Sequence, residues 1–372
     1  MQRTDVIVVG AGIVGAACAS ELARAGLSVR VIDARLGGAT HAGMGHLVVM
    51  DDNPAELALS NASLAIWREW GPRMNAEAPR CAYGLPGTLW IAADDEEMQE
   101  AERKRARLQA ADVLCELLGA RALAQAEPAL RPGLAGALRV PGDGVIYAPN
   151  AVQWLLDTAP RAIVTEDALV KAIDTQGVLL ADGTRRDAAA VVVAAGIEAP
   201  RLCPELPLRP KKGHLVITDR YPRTVRHQLV ELGYVKSAHS SSGTSVAFNV
   251  QPRPTGQLLI GSSRQFDTVD AAVEPAILGR MLRRALEYVP ALADCNAIRT
   301  WTGFRAATPD GQPIVGPHPW RPNLWLAVGH EGLGVTTAPA TARLVAAQLA
   351  GGSLPLDGLP YAAARFNLRE AA

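Results

Sequence analysis

The chain has 372 residues, enough for two domains of ordinary size. Hydrophobic residues make up 49% and charged residues 20%, which excludes a disordered chain. Lys plus Arg and Asp plus Glu both number 37, and a chain of zero net charge has no general attraction for nucleic acid or anionic lipid.

In chain order, Val6-Ile7-Val8-Val9 reads as a buried strand. Only Met1 to Asp5 precede it, which leaves no room for a secretory signal. No apolar run reaches the roughly 18 residues of a membrane span. A cytoplasmic protein without a membrane span is therefore expected. Gly10-Ala11-Gly12-Ile13-Val14-Gly15 follows, then a helix over Ala16–Ala25 that Gly26 stops. A second strand over Ser28–Ile32 closes on Asp33 and Ala34. This order of strand, glycine turn, helix, strand and acid is the context in which G-x-G-x-x-G binds a dinucleotide. Gly10 permits the turn, Gly12 admits a pyrophosphate, and Gly15 lets helix and strand pack. The helix start at Ile13 and Val14 offers N–H groups to phosphate. Asp33 suits ribose hydroxyls and argues against a 2′-phosphate.

Gly37 to Leu47 is too glycine-rich for a helix and too long for a tight turn. It reads as a surface loop, or as backbone packed on a large flat ligand. In the second case Ala39, Met44, Gly45, His46 and Leu47 lie against the ligand and Thr40 bonds a phosphate. Five cysteines (Cys18, Cys81, Cys115, Cys203, Cys295) form no C-x-x-C pair, so neither a metal site nor a disulfide framework is expected. Gly87–Ala92 reads as a strand and Asp94–Leu118 as a helix. Arg103, Lys104, Arg105 and Arg107 read as its solvated face. Ala168-Leu169-Val170 is placed as a third strand against an adenine. Val178–Thr184 is a strand pair with an Asp-Gly turn, and Ala190–Val193 is a buried strand running into Ala195-Gly196.

Gly213–Ile217, Thr244–Val250 and Leu258–Ser263 have strand patterning, with a helix over Glu274–Tyr288. They predict an antiparallel sheet over the ligand. Gly233–Gly243, with four serines, reads equally as a mobile lid or an ordinary loop. Near the C-terminus, Leu324–Val328 is a strand. Gly329-His330-Glu331-Gly332-Leu333-Gly334-Val335 is a glycine loop, and a helix runs from Thr336 to Leu349. A helix N-terminus here faces something electron-rich. A flavin gains electron density on reduction, which such a helix end stabilises. An NAD enzyme has no use for this element, so FAD is expected. The fold class is then α/β. A Rossmann-like FAD-binding domain is built discontinuously from 1–80, 140–206 and 300–372. An α+β substrate domain on an antiparallel sheet takes 81–139 and 207–299.

Three stretches add specificity: Trp301-Thr302-Gly303-Phe304-Arg305, Thr308-Pro309-Asp310-Gly311-Gln312-Pro313-Ile314-Val315-Gly316, and Gly329-His330. With them the whole chain resembles the D-amino-acid-oxidase-like flavoenzymes. The branch is that of glycine oxidase, the sarcosine oxidase flavin subunit and D-hydroxyproline dehydrogenase. The loop Gly43–Asp52 is similar to heteromeric hydroxyproline and opine dehydrogenase subunits.

The resemblance implies that Arg305 binds a substrate carboxylate. It also implies that the loops Thr40–Leu47 and His330–Thr336 grip the flavin, and that backbone at Val170 touches adenine. Gly303, Gly329, Glu331, Leu333, Gly334 and Val335 fall in the same cofactor segments. There are departures. Gly332 stands where glycine oxidase has a second arginine, Asn249 where it has a pocket tyrosine, and His46 where it has a methionine. No cysteine lies near Thr308-Pro309-Asp310, so the FAD is expected to be non-covalent. The implied reaction is hydride transfer from the α-carbon of a small amino or imino acid to flavin N5, with Arg305, His46 and Asn249 as catalytic candidates. His46 is expected to hold the amine or a ring hydroxyl. Electrons pass to a carrier or partner subunit, or to O2 as in glycine oxidase. A heteromeric opine-type flavin subunit and a homo-oligomer are further expectations.

Overall fold

The computed structural model describes residues 4–233, 243–266 and 268–368. The loop Gly233–Gly243, read equally as a lid or an ordinary loop, lies mostly in 234–242, outside the described residues.

The first sheet is parallel at its centre. β1 (Thr4–Val9) is flanked by β2 (Val29–Asp33) and β11 (Arg185–Val193). β8 (Ile163–Asp167) lies outside β2, and β18 (Leu324–Val328) outside β11. β17 (Ile314–Pro317) closes that edge antiparallel. The strand beside β2 is thus 163–167, not 168–170. Val170 opens β9 (Val170–Asp174), which turns away to pair with β10 (Gly177–Leu180). The turn after Asp167 is what carries Val170 past the end of β2. Helices α1 (Ile13–Arg24) and α8 (Gly334–Ala350) pack together on one face, and α6 (Ala148–Asp157) packs on α1. The buried residues of α1 and α8 are largely small, with alanines among them (Ala16, Ala17, Ala19; Ala338, Ala340, Ala342), so their axes can approach closely.

The second sheet runs in the order β16 (Ala297–Ala307), β12 (Arg209–Arg220), β15 (Gln257–Gln265), β14 (Thr244–Pro252), β13 (Gln228–Glu231), β4 (Thr88–Ala92), β6 (Gly136–Val140), β5 (Glu116–Gly119). It is antiparallel except where β13 runs parallel to β4. β16 carries the sheet through Ala307, past the boundary at 300 read from sequence.

Alternation divides this sheet into two faces. Leu89, Ile91, Val216, Leu229, Phe248, Val250, Leu258 and Ile260 pack against Met281, Ala285 and Tyr288 of α7 (Pro275–Tyr288). Phe248 stacks on Tyr288 with ring centroids 4.5 Å apart. Each such residue contributes roughly 1.5–3 kcal/mol by burial. The opposite face therefore need not supply the anchoring, and it carries the polar residues.

α3 (Pro54–Glu77) starts with Asn53 accepting from the Glu56 N–H at 2.9 Å. α4 (Asp95–Ala110) starts with Asp94 accepting from the Glu97 N–H at 2.9 Å. The helix expected to run to Leu118 ends at Ala110. Asp112 turns left-handed (φ 57°), and 116–119 pairs with β6 as an edge strand before the short helix α5 (Ala120–Ala126). Lys104 is not on a solvated face. The helical period puts it with Ala101 and Leu108 on the buried stripe, where it pairs with Asp51 and lies 4.1 Å over the Trp90 ring. All five cysteines are free thiols. Among the described residues no helix is long and apolar enough to cross a membrane, and no cluster of His, Cys, Asp or Glu could hold a metal ion.

Candidate active site

The turn after β1 leaves no room for side chains. Gly10 adopts φ 105°, and a Cβ there would lie 2.6 Å from the Ala194 carbonyl oxygen. A Cβ on Gly15 would lie 1.9 Å from the Gly10 carbonyl oxygen, so α1 docks backbone to backbone. Gly12 begins α1 without a side-chain cap. Its first-turn N–H groups are thus left for a ligand, apart from that of Ile13, which donates to Thr40 Oγ1 at 3.0 Å. Asp33 Oδ2 accepts from the Ala11 N–H at 2.6 Å, which holds the acid beside the turn, with Ala34 next in the chain. The Ala168 N–H donates to the Asp33 carbonyl at 3.0 Å and brings Val170 to the same end of the sheet. Ala195 and Gly196 follow β11 beside Gly10. An uncapped helix end, a side-chain-free turn and an acid at the β2 end fit the pyrophosphate and ribose of FAD.

The second glycine segment is more ordered than a flexible loop. Ala39–Ala42 forms the short helix α2, and His46–Leu47 forms β3, paired with β7 (Gly144–Val145). Gly45 adopts φ 74°, and its Cβ would lie 1.9 Å from the Ile146 carbonyl oxygen. Arg253 Nη1 donates to the Met44 carbonyl at 3.1 Å, and Trp301 Nε1 to the Ala42 carbonyl at 2.9 Å. A Cβ on Gly303 would lie 2.4 Å from Ala42 Cβ. Thr336 Oγ1 donates to the His46 carbonyl at 3.0 Å, tying the uncapped start of α8 to this loop. Trp67 Nε1 reaches the Val335 carbonyl at 3.1 Å. A Cβ on Gly334 would lie 3.9 Å from Val14 Cγ2, so the two uncapped helix ends converge.

Arg305 points from β16 across β12. A Cβ on Gly213 would lie 2.7 Å from Arg305 Nη1, which donates to the Ser263 carbonyl at 3.2 Å. A Cβ on Gly332 would lie 3.5 Å from Arg305 Nε. The adjacent Glu331 takes a left-handed φ of 49°. Burial disfavours its charge, but Arg305, Lys211 and Arg264 outweigh that and hold its carboxyl down at about 2. Lys211 Nζ lies 2.9 Å from it. Leu333 follows in the same short turn, and His330 Nε2 pairs with Thr341 Oγ1 at 3.1 Å. Gly213→Ala is expected to push the guanidinium aside, weakening substrate binding about tenfold while flavin content stays normal. A substrate titration of flavin reduction checks this.

His46 and Asn249 meet, and the sequence gives no sign of what holds them. His46 Nδ1 contacts Gln228 Oε1 at 2.6 Å, and Asn249 Nδ2 contacts His46 Nε2 at 3.1 Å. Gln228 Oε1 also accepts from Gln251 Nε2 at 3.2 Å, and Gln251 Oε1 from Arg253 Nη1 at 2.9 Å. Gln228 Nε2 donates to Thr88 Oγ1 at 3.3 Å, and Thr88 bonds Asp143. Arg253 has donors only, so it sets the direction of every bond behind it. His46 then carries its proton on Nδ1, and Nε2 accepts from Asn249. Both ring nitrogens are engaged, and His46 is not the group left for an amine. Among the described residues Asn249 Oδ1 is a buried acceptor without a partner, as is Asp143 Oδ2 at the far end of this network. Gln228, Gln251, Arg253, Thr88 and Asp143 carry no motif that marks them in the sequence. The period-2 pattern that places Asn249 on this face also places Gln251 there.

Burial pushes His46 down to about 4, against its hydrogen bond to Gln228, and burial pushes His330 to about 4 as well. Their ordinary value is 6.5, so the unfolded chain binds protons that the folded chain does not. Both groups give their full stability above pH 6.5 and lose it progressively toward pH 4. The melting temperature should fall across that window. The pH–rate profile should show no His46 inflection near 6.5.

Residues 5–348 match the DAO family, described as FAD dependent oxidoreductase. An opine oxidase subunit of Rhizobium meliloti is 28% identical, with 100% of both chains covered. A glycine oxidase of Pseudomonas aeruginosa is 30% identical over 96% of this chain and 98% of its own length. The crystal structure of glycine oxidase from Geobacillus kaustophilus superposes with a TM-score of 0.86 at 26% identity, covering 100% of both chains. With its paired uncapped helix ends, its glycine turn and its second sheet laid over them, the chain belongs to the DAO family of FAD-dependent oxidoreductases.

Proposed function

We propose that the protein dehydrogenates a small amino or imino acid, of the D-amino acid or D-hydroxyproline kind, between Arg305 and Asn249. One observation carries this reading. A guanidinium and an unpartnered amide oxygen share one face of the second sheet, over a floor that includes Gly213 and Gly261. The guanidinium lies over β12, and Asn249 is on β14, two strands on. Two spacings make about 10 Å. An α-amino acid spans about 3 Å from carboxylate to nitrogen, and two hydrogen bonds add about 6 Å.

In this reading Arg305 takes the carboxylate in a two-bond fork. Asn249 Oδ1 accepts an N–H of the neutral amine, which orients the nitrogen and leaves its lone pair free to push. Gln228 keeps His46 in the tautomer that holds Asn249. FAD supplies the hydride acceptor. The resulting imine hydrolyses in water.

The electron acceptor belongs to the same proposal: a carrier or partner subunit rather than O2. Supporting it is the full-length similarity to a protein named as one subunit of an opine oxidase. The same similarity favours an opine as the alternative substrate. A cytoplasmic setting is part of the reading, supported by five free thiols. The holoenzyme should be screened anaerobically for flavin bleaching by glycine, sarcosine, D-amino acids, hydroxyproline epimers and opines. Peroxide should then be measured in air. No bleaching by any amino or imino acid rejects the reading, and stoichiometric peroxide rejects the carrier.

A further inference from the structure

A pocket of about 560 Å³ opens at the rim of the second sheet, where the β14–β15 turn meets the segment after β12. Tyr221, Pro222 and Pro254 form walls, and Arg223, Arg226 and Arg253 bring charge; no acidic residue lines it. Arg253 is only 9% exposed. Both its protein acceptors, the Met44 carbonyl and Gln251 Oε1, are taken by Nη1. Among the described residues Nε and Nη2 have no acceptor, and none of the three arginines pairs with a carboxylate. Burial pushes Arg253 down to about 10, the direction expected of a desolvated cation without a counter-ion. A guanidinium edge that solvent reaches and no protein acceptor fills is a fork that an oxyanion can bond side-on.

We propose that this pocket binds a small oxyanion, phosphate or carboxylate, on Arg253, Arg223 and Arg226, and that its occupancy is felt at the flavin side of the site. The transmitting contacts are short. Arg253 holds the Met44 carbonyl at 3.1 Å and Gln251 at 2.9 Å. Gln251 reaches Gln228 at 3.2 Å, and Gln228 reaches His46 at 2.6 Å. An anion that draws the guanidinium outward loosens both Met44 and the partner of His46. Binding stands independently of the proposed reaction; only the effect at His46 touches it.

The test is a calorimetric titration of the FAD-loaded protein with inorganic phosphate, and separately with succinate, at constant ionic strength. The flavin spectrum is recorded in parallel and needs no substrate. Saturable binding at millimolar concentration with a shifted flavin spectrum is expected. The Arg223→Ala/Arg226→Ala double variant should bind at least about tenfold more weakly. Both positions are exposed, so its FAD content and anion-free turnover should be unchanged. Saturation by succinate alone assigns the site to carboxylates. No saturation by either anion overturns the proposal, as does binding that the double variant retains in full. Binding with an unmoved flavin spectrum overturns the coupling.

Discussion

Arg305→Ala is expected to weaken substrate binding about 10- to 150-fold, the loss that follows from removing a charge-assisted contact in a desolvated site. The guanidinium lies over Gly213 and beside Gly332, two positions where no side chain competes for it. Glu331, whose carboxylate the Arg305 charge stabilises, is also held by Lys211, so removing Arg305 does not strand a buried carboxylate. The variant should fold and keep its flavin, and the apparent Kd from anaerobic flavin reduction should rise. Arg305→Lys should recover only part of the loss, because an ammonium cannot make the two-bond fork. Unchanged affinity and rate in the Ala variant would falsify the clamp.

The second large effect is on the cofactor. Gly15→Ala would place a Cβ 1.9 Å from the Gly10 carbonyl oxygen, and both partners are backbone. No rotamer relieves this, so α1 must move off β1. Overpacking of this kind costs about 1–3 kcal/mol or more, and the displaced helix end is the one offered to the FAD phosphates. The purified variant is expected to have lost most of its flavin and to melt below wild-type apoprotein. Gly12→Ala is the comparison. Its Cβ would lie 3.2 Å from Thr40 Oγ1, a side-chain contact that can give. It should keep apoprotein stability and lose FAD affinity alone. A Gly15→Ala protein with full flavin content and unchanged melting would rule out the backbone-contact argument.

The cofactor half was legible because its parts are neighbours in sequence. β1, the glycine turn, α1, β2 and Asp33 all fall within residues 4–33, and each is stated by local preference. The second sheet was legible at four of its strands, β4, β12, β14 and β15, since alternation is also local, while β5, β6, β13 and β16 were not read as strands. Less was legible where local preference and tertiary pairing disagreed. Residues 116–119 look like the tail of a helix, but β6 offers them backbone partners. Lys104 looks like one of four exposed cations, but it lies on the stripe that faces Trp90 and Asp51.

By itself, then, the sequence determined the dinucleotide cradle, the second helix start at the far end of the chain, and four strands of the sheet above them. Each follows from contacts within about thirty residues or from a repeating period. Only the tertiary structure decided what the site residues touch. Gln228 meets His46 across 182 positions of chain, and Asn249 meets it across 203. Strand order creates those meetings, and they engage both ring nitrogens of His46. Strand order is a global property of packing, which no local pattern encodes.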